Sequence, residues 1–241
     1  MKLALFFITF CYSLTLLGQQ QEGKVWLQTG VKNQFKKNWE WSIDLTNRFG
    51  SDGLETFFSQ ASVKYKLTRW LRPSVDYRSI LDKDRYGNYA FSNRLNINAD
   101  LKYTLNRWGL AMRVRYQYSF SGSKQSSYDA EFDQAIRMKP QVSYDINKSK
   151  WSPVCSIELF YNPSYGPTGR QFTKYRMFAG AQLDLKGPHN VALGYILDQE
   201  LNTVRPDTKR ILNVSYSFDL GELKKSEKKD KKSGSSDLFN E

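Results

Sequence analysis

Beyond its first twenty residues the sequence holds no apolar run of about 20 residues, the length a helix needs to cross a bilayer. Cysteine and histidine are scarce: Cys11, Cys155 and His189 are the full set. That excludes a zinc cluster, and with Cys11 inside a leader, Cys155 has no partner for an internal disulfide. There is no glycine-rich phosphate loop and no metal-ligand cluster, so no metal or cofactor is expected. Barrel lipases and deacylases use a histidine base beside a serine nucleophile. The one histidine lies in the turn Gly187-Pro188-His189-Asn190, and no serine partner follows from spacing. His189 therefore reads as a turn residue, no catalytic residue is assigned, and the chain is not expected to be an enzyme.

Acidic residues are also in deficit, with 24 Asp and Glu against 36 Lys and Arg, a formal charge of +12. In a cytosolic protein such a balance would point to nucleic acid. The N-terminus points elsewhere. In MKLALFFITFCYSLTLLGQQQ, Lys2 precedes an apolar run from Leu3 to Leu17 and then Gly18, the pattern of a secretory signal peptide over residues 1–18 with cleavage near 18–20. Cys11 is not preceded by the small residue of a lipoprotein site, so lipidation is not expected. An exported basic chain is expected to meet anionic headgroups, lipopolysaccharide phosphates or a small anionic solute, with no nucleic acid.

What is abundant is alternation. In WEWSIDLTNRF, residues 39–49, Trp39, Trp41, Ile43, Leu45 and Phe49 take turns with Glu40, Ser42, Asp44, Thr46 and Arg48. Period 2 is a strand with one apolar and one polar face. The pattern recurs from Phe57, Tyr89 and Trp108, and around 136–144, 157–161, 175–185, 191–197 and 212–218. With a first segment at 24–33, about eleven strands are predicted, and no helical period of comparable length competes. Mean hydropathy is −0.62, which a barrel also gives, because each spanning strand needs only about 9 to 11 residues and half face a polar interior.

Connections near 36–38, 68–69, 105–107, 147–150 and 186–189 are short, whereas those near 50–56, 80–88, 120–131, 162–171 and 200–207 are longer. This asymmetry is the signature of an outer-membrane meander with periplasmic turns and outer loops. Trp26, Trp39, Trp70, Trp108 and Trp151 fall near strand ends, where an interfacial aromatic belt belongs. Bacterial single-chain barrels have even strand numbers, so ten to twelve strands are expected, with the first segment incomplete or one strand missed or split. From residue 220 the composition turns to six lysines and five acids with few apolar groups, a disordered tail over 220–241. It could make a periplasmic contact.

If the apolar positions face lipid, the inward charges include Glu40, Asp44, Arg48, Lys64, Asp76, Arg78, Arg94, Asp100, Arg113, Arg115, Arg137, Lys139, Glu158 and Arg176. Folding the hairpins about their turns sets Arg113 near Arg137, Lys139 near Glu158, Glu158 near Arg176 and Asp76 near Arg94. Buried charges persist only when paired or hydrated, so a salt-bridged, narrow and largely occluded lumen follows, with Glu158 inside a basic neighbourhood.

These segments occur in a familiar order. Trp26, DYRS with Tyr77 and Arg78, RVRYQY with Arg113 and Arg115, IELFYN with Glu158, Phe160 and Asn162, YRMFAGAQ with Arg176 and Gly180, and LGY with Gly194 and Tyr195 together resemble the domain of unknown function 2490 family. The resemblance covers roughly residues 25–218 and leaves the lysine-rich tail outside. It implies an outer-membrane barrel of a double-envelope bacterium and brings no activity or catalytic residue with it.

The fold expected is all-β: an antiparallel up-and-down transmembrane β-barrel over residues 24–219. The function expected is a structural barrel or a narrow, porin-like, anion-preferring channel. Alternatives are an integral outer-membrane enzyme acting on lipid or lipopolysaccharide, and a secreted soluble β-sandwich that binds glycans through its aromatics.

Overall fold

The computed structural model describes residues 21–84, 86–121, 134–166, 169–185 and 187–221. The expected signal segment, most of the 120–131 loop and the expected tail from 222 lie outside them. Eleven strands follow in chain order: β1 (Gln21–Lys36), β2 (Trp39–Gly50), β3 (Gly53–Tyr65), β4 (Leu71–Lys83), β5 (Tyr89–Leu105), β6 (Trp108–Ser121), β7 (Gln134–Tyr144), β8 (Trp151–Asn162), β9 (Gln171–Asp184), β10 (His189–Glu200) and β11 (Thr208–Asp219). Each pairs antiparallel with the next, and β1 closes the sheet against β11. One closed sheet leaves no second layer to pack against, which overturns the β-sandwich alternative.

The closing pair is parallel, in register from Gln21 opposite Thr208 to Lys32 opposite Asp219. An odd count requires this, because alternating strand directions return to β1 pointing the same way as β11. The first segment is therefore a full strand, and none is missing or split. β1 starts on the rim of the longer loops, and β11 ends on the opposite, short-turn rim.

The rims differ less than the sequence suggests. The β2–β3 connection, expected to be long, is the two residues Ser51 and Asp52. Gly53 at φ +90° lets the chain turn there without a Cβ in the way. On the short-turn rim Asn106, at φ +52°, closes the β5–β6 hairpin.

Alternation sets the two faces of the wall. Ile43, Val63, Val75 and Ile97 are 46–54% exposed on the outside, whereas Asn96, Asn98, Asp76 and Glu158 are buried within. On the short-turn rim Trp39, Trp70, Trp108 and Trp151 point outward. Trp39 packs on its cross-strand neighbour Tyr65 at 4.7 Å, and Trp108 on Tyr144 at 4.8 Å. Trp26 departs from the expected belt: it lies inside, 9% exposed, because its parity on β1 matches the inward Lys24 and Gln28.

Trp26 belongs to an apolar cluster astride the seam with Ile196 of β10 and Ile211 of β11, against which Phe178 of β9 packs. Gly180 and Gly194 face each other across β9 and β10. A Cβ on Gly194 would lie 2.3 Å from the Phe178 ring, so the glycine pair is the floor on which that ring rests. A parallel pair is slightly less stable per residue than an antiparallel one. Side-chain burial beside the seam offsets part of that difference.

Candidate lumen site

The inward charges gather into three groups. Toward the short-turn rim, Glu40 meets Lys64 at 3.6 Å, Lys64 lies 3.8 Å from Asp100, and Asp100 accepts from Arg113 Nε at 2.6 Å. At mid-height, Arg115 donates to Asp76 at 3.0 Å and to Asn98, whose amide also donates to Asp76 at 2.9 Å. On the neighbouring strands β7–β9, Arg137 reaches Glu158 at 2.9 Å and Arg176 lies 3.7 Å from its other oxygen. Arg176 also bridges to Asp198 at 2.6 Å, and Lys174 lies 4.0 Å from that carboxylate. The guanidinium and carboxylate pairs here are mostly charge-assisted hydrogen bonds, about twice as strong as neutral ones.

The expected neighbours hold in part. Glu158 does face Arg176. Arg113, however, faces Lys139, and Arg115 faces Arg137. Asp76 faces Asn96, and Arg78 faces Arg94. In each case the hairpin pairs two residues away from the position inferred from turn centres, which keeps every side chain on its face but changes its partner. Lys139 lies across from Glu158 in the β7–β8 register, as expected, and lines the lumen without an ion pair within 4.0 Å among the described residues. Asp44 accepts from Ser42 at 3.4 Å, Arg94 donates to Ser119 at 3.0 Å, and the charges as a whole do not converge on one point.

At mid-height four arginines alternate with three aromatic rings. Arg78 lies 4.1 Å from the Phe58 centroid, and Arg48 lies 4.9 Å from Phe58 and 4.0 Å from Trp26. Arg176 lies 4.8 Å from Trp26 and 5.2 Å from Phe160, and Arg137 lies 4.5 Å from Phe160. This arginine–aromatic belt draws on β4, β3, β2, β1, β9, β8 and β7. Each contact places a cation against the negative face of a ring.

The belt divides the lumen. A cavity of about 820 Å³ extends above it to the long-loop rim, where Asp84, Tyr86 and Gly87 line its mouth. A second of about 330 Å³ lies below, reaching Gln141, Gln182 and Ser215. Trp26, Arg48, Phe58, Arg78, Arg137 and Arg176 line both. Nine basic and five acidic side chains line the upper cavity, and seven basic and two acidic the lower, so both favour anions.

His189 lies on the outer face, its Nδ1 2.8 Å from the Tyr216 hydroxyl and its ring against Phe218, across the wall from the lumen charges. Among the described residues no group of three His, Cys, Asp or Glu could hold a metal ion.

Sequence reasoning missed Asp198, Lys174 and the inward aromatics. Asp198 is one residue past the 191–197 segment and Lys174 one residue before 175–185; extending each alternation by one step would have added both. Phe58 follows the outward Phe57, and Phe178 interrupts the polar face of YRMFAGAQ, so both are apolar at inward positions. Inward glycines opposite each other, Gly180 and Gly194, were the available signal for a ring above them.

No curated protein matches this chain. A family model described as protein of unknown function (DUF2490) matches residues 23–209, from the start of β1 into β11. That span contains the whole arginine–aromatic belt and both carboxylates that pair with it, and the chain belongs to the DUF2490 family.

Proposed function

We propose that this protein is an outer-membrane β-barrel of a double-envelope bacterium whose lumen is a narrow, anion-preferring passage. The observation that carries the reading is the inversion of polarity across the wall. Aliphatic and aromatic side chains stand exposed outside, while arginines, lysines and carboxylates fill the inside. A monomer in water rarely leaves so much contiguous apolar surface uncovered, and a closed sheet satisfies the backbone groups that lipid could not. The tryptophan-rich short-turn rim would sit at the periplasmic interface, with lipid and lipopolysaccharide as the surrounding partners. The tail would extend into the periplasm, export would proceed through the signal segment, and the protein would carry no catalytic activity.

A second reading draws on the ion pairs at mid-height, which narrow the lumen enough for a purely structural, closed barrel. Planar-bilayer recordings separate the two. A channel gives steady steps with anion-selective reversal potentials, and Arg137→Ala or Glu158→Ala shifts the step size. A correctly folded barrel without steps leaves the structural reading. Fractionation that finds the protein soluble in the periplasm overturns both.

A further inference from the structure

The belt contains two kinds of arginine. Arg137 and Arg176 each hold a carboxylate, Glu158 or Asp198. Arg48 and Arg78 have none within 4.0 Å among the described residues. Arg78 donates from Nε and Nη2 to the same amide oxygen of Gln60, at 3.0 and 2.5 Å. The Arg48 guanidinium makes no hydrogen bond there, and its Nε is buried without a partner. Both cations lie against Phe58, Arg48 also against Trp26, and both line the two cavities.

A guanidinium has five N–H donors in its plane and no acceptor. Aromatic contact immobilises the group without using those donors, and the fork geometry matches carboxylate and phosphate oxygens. Buried donors are nearly always satisfied by protein, water or ligand. The paired arginines on the facing wall already have anions of their own, whereas Arg48 and Arg78 hold no carboxylate and Arg48 Nε has no partner among the described residues. The upper cavity, within the size range of small-molecule sites, leads to it from the long-loop rim.

We propose that Arg48 and Arg78, held against Phe58, form the binding site for one small soluble oxyanion, a carboxylate or a phosphate, entering through the upper cavity. This deepens the reading of the lumen as anion-preferring and rests on it. Gln60 positions the Arg78 fork, Trp26 and Phe58 fix Arg48, and Arg137 and Arg176 stay committed to their carboxylates.

The test is calorimetric titration of the full mature chain, folded in dodecyl maltoside micelles, with inorganic phosphate and with benzoate. The expected result is saturable binding of one anion per chain by at least one probe, weakened about tenfold or more in Arg48→Gln and in Arg78→Gln. Arg48→Lys, which keeps the charge and loses the fork, should also weaken it. Resistance of the barrel to unfolding in unheated dodecyl sulfate checks that each variant is folded; should a glutamine variant fail, Arg48→Lys carries the test. No saturable heat with either probe, or equal affinity in the parent and the folded variants, overturns the site. Displacement of the probe by phosphatidylglycerol added to the micelles assigns the pair to a lipid headgroup and overturns a soluble ligand. Binding without conductance removes the channel reading and leaves the site, whereas anion-selective conductance without binding removes the site alone.

Discussion

The two sides of the lumen are built on different physics. Beside the β1–β11 seam, at mid-height, the interior holds an apolar cluster: Trp26, Ile196, Ile211 and Phe178 pack together over Gly180 and Gly194. Across from it, on β4–β6, the interior is a mesh of Asp76, Asn98, Asp100, Arg113 and Arg115 with almost no apolar side chain between them. The apolar side tolerates the loss of a contact in proportion to the area lost. A polar partner removed from a mesh leaves its mate charged and unpaired, at a cost larger than the bond itself. The difference teaches where each kind of packing is needed. The parallel seam has its pairing register fixed by bulky shapes that fit one way only, and the antiparallel meander, already registered by its hairpins, can give its interior to charge.

The largest expected effect breaks the polar packing where it is densest. Glu158→Ala takes the carboxylate from Arg137 and leaves Arg176 with Asp198. Uncoupling a buried pair costs about 3–5 kcal/mol, and the lower end applies beside water-filled cavities. Urea unfolding of the barrel in micelles should show a loss of about 3 kcal/mol. Next comes the apolar side. Gly194→Val drives a branched side chain into the Phe178 ring and toward the Ala179 carbonyl oxygen, 2.9 Å from the new Cβ. A loss of about 1–3 kcal/mol is expected by the same measurement, with a reduced yield of refolded barrel. Equal stability of parent and Gly194→Val would mean the seam does not depend on that ring. The smallest effect is at the short-turn end of the seam, where Lys32 and Asp219 pair at 3.2 Å with the lysine side chain 37% exposed. Asp219→Asn should change stability by less than about 1 kcal/mol, and high salt should erase the difference.

Much of this architecture was legible because a barrel wall writes itself into sequence at period 2. WEWSIDLTNRF placed Glu40, Asp44 and Arg48 on one face and Trp41, Ile43 and Leu45 on the other, and parity alone sent each named charge inward. Partners were less legible. Parity fixes the face of a side chain but not the offset between strands, so Arg113 and Asp76 were each given neighbours two residues away from those they have. The inward aromatics were hidden for a different reason: Trp26 looks like an interfacial residue from its position near a chain end, although its parity with Lys24 and Gln28 turns it inward, where it meets Arg48. The parallel closure itself carries no local signal, since β1 and β11 are separated by the whole meander.

That closure has a consequence for the chain as a thread. Eleven crossings leave its two ends on opposite sides of the wall. In an even-stranded barrel a few residues could join the termini and new ends could be cut at any turn. Here a linker would have to run the full height of a strand of 12 to 16 residues, through the lumen or around the outside. The molecule therefore resists circular permutation by short linkers, and a tag at residue 21 and a tag at residue 221 would stand on opposite rims of the barrel.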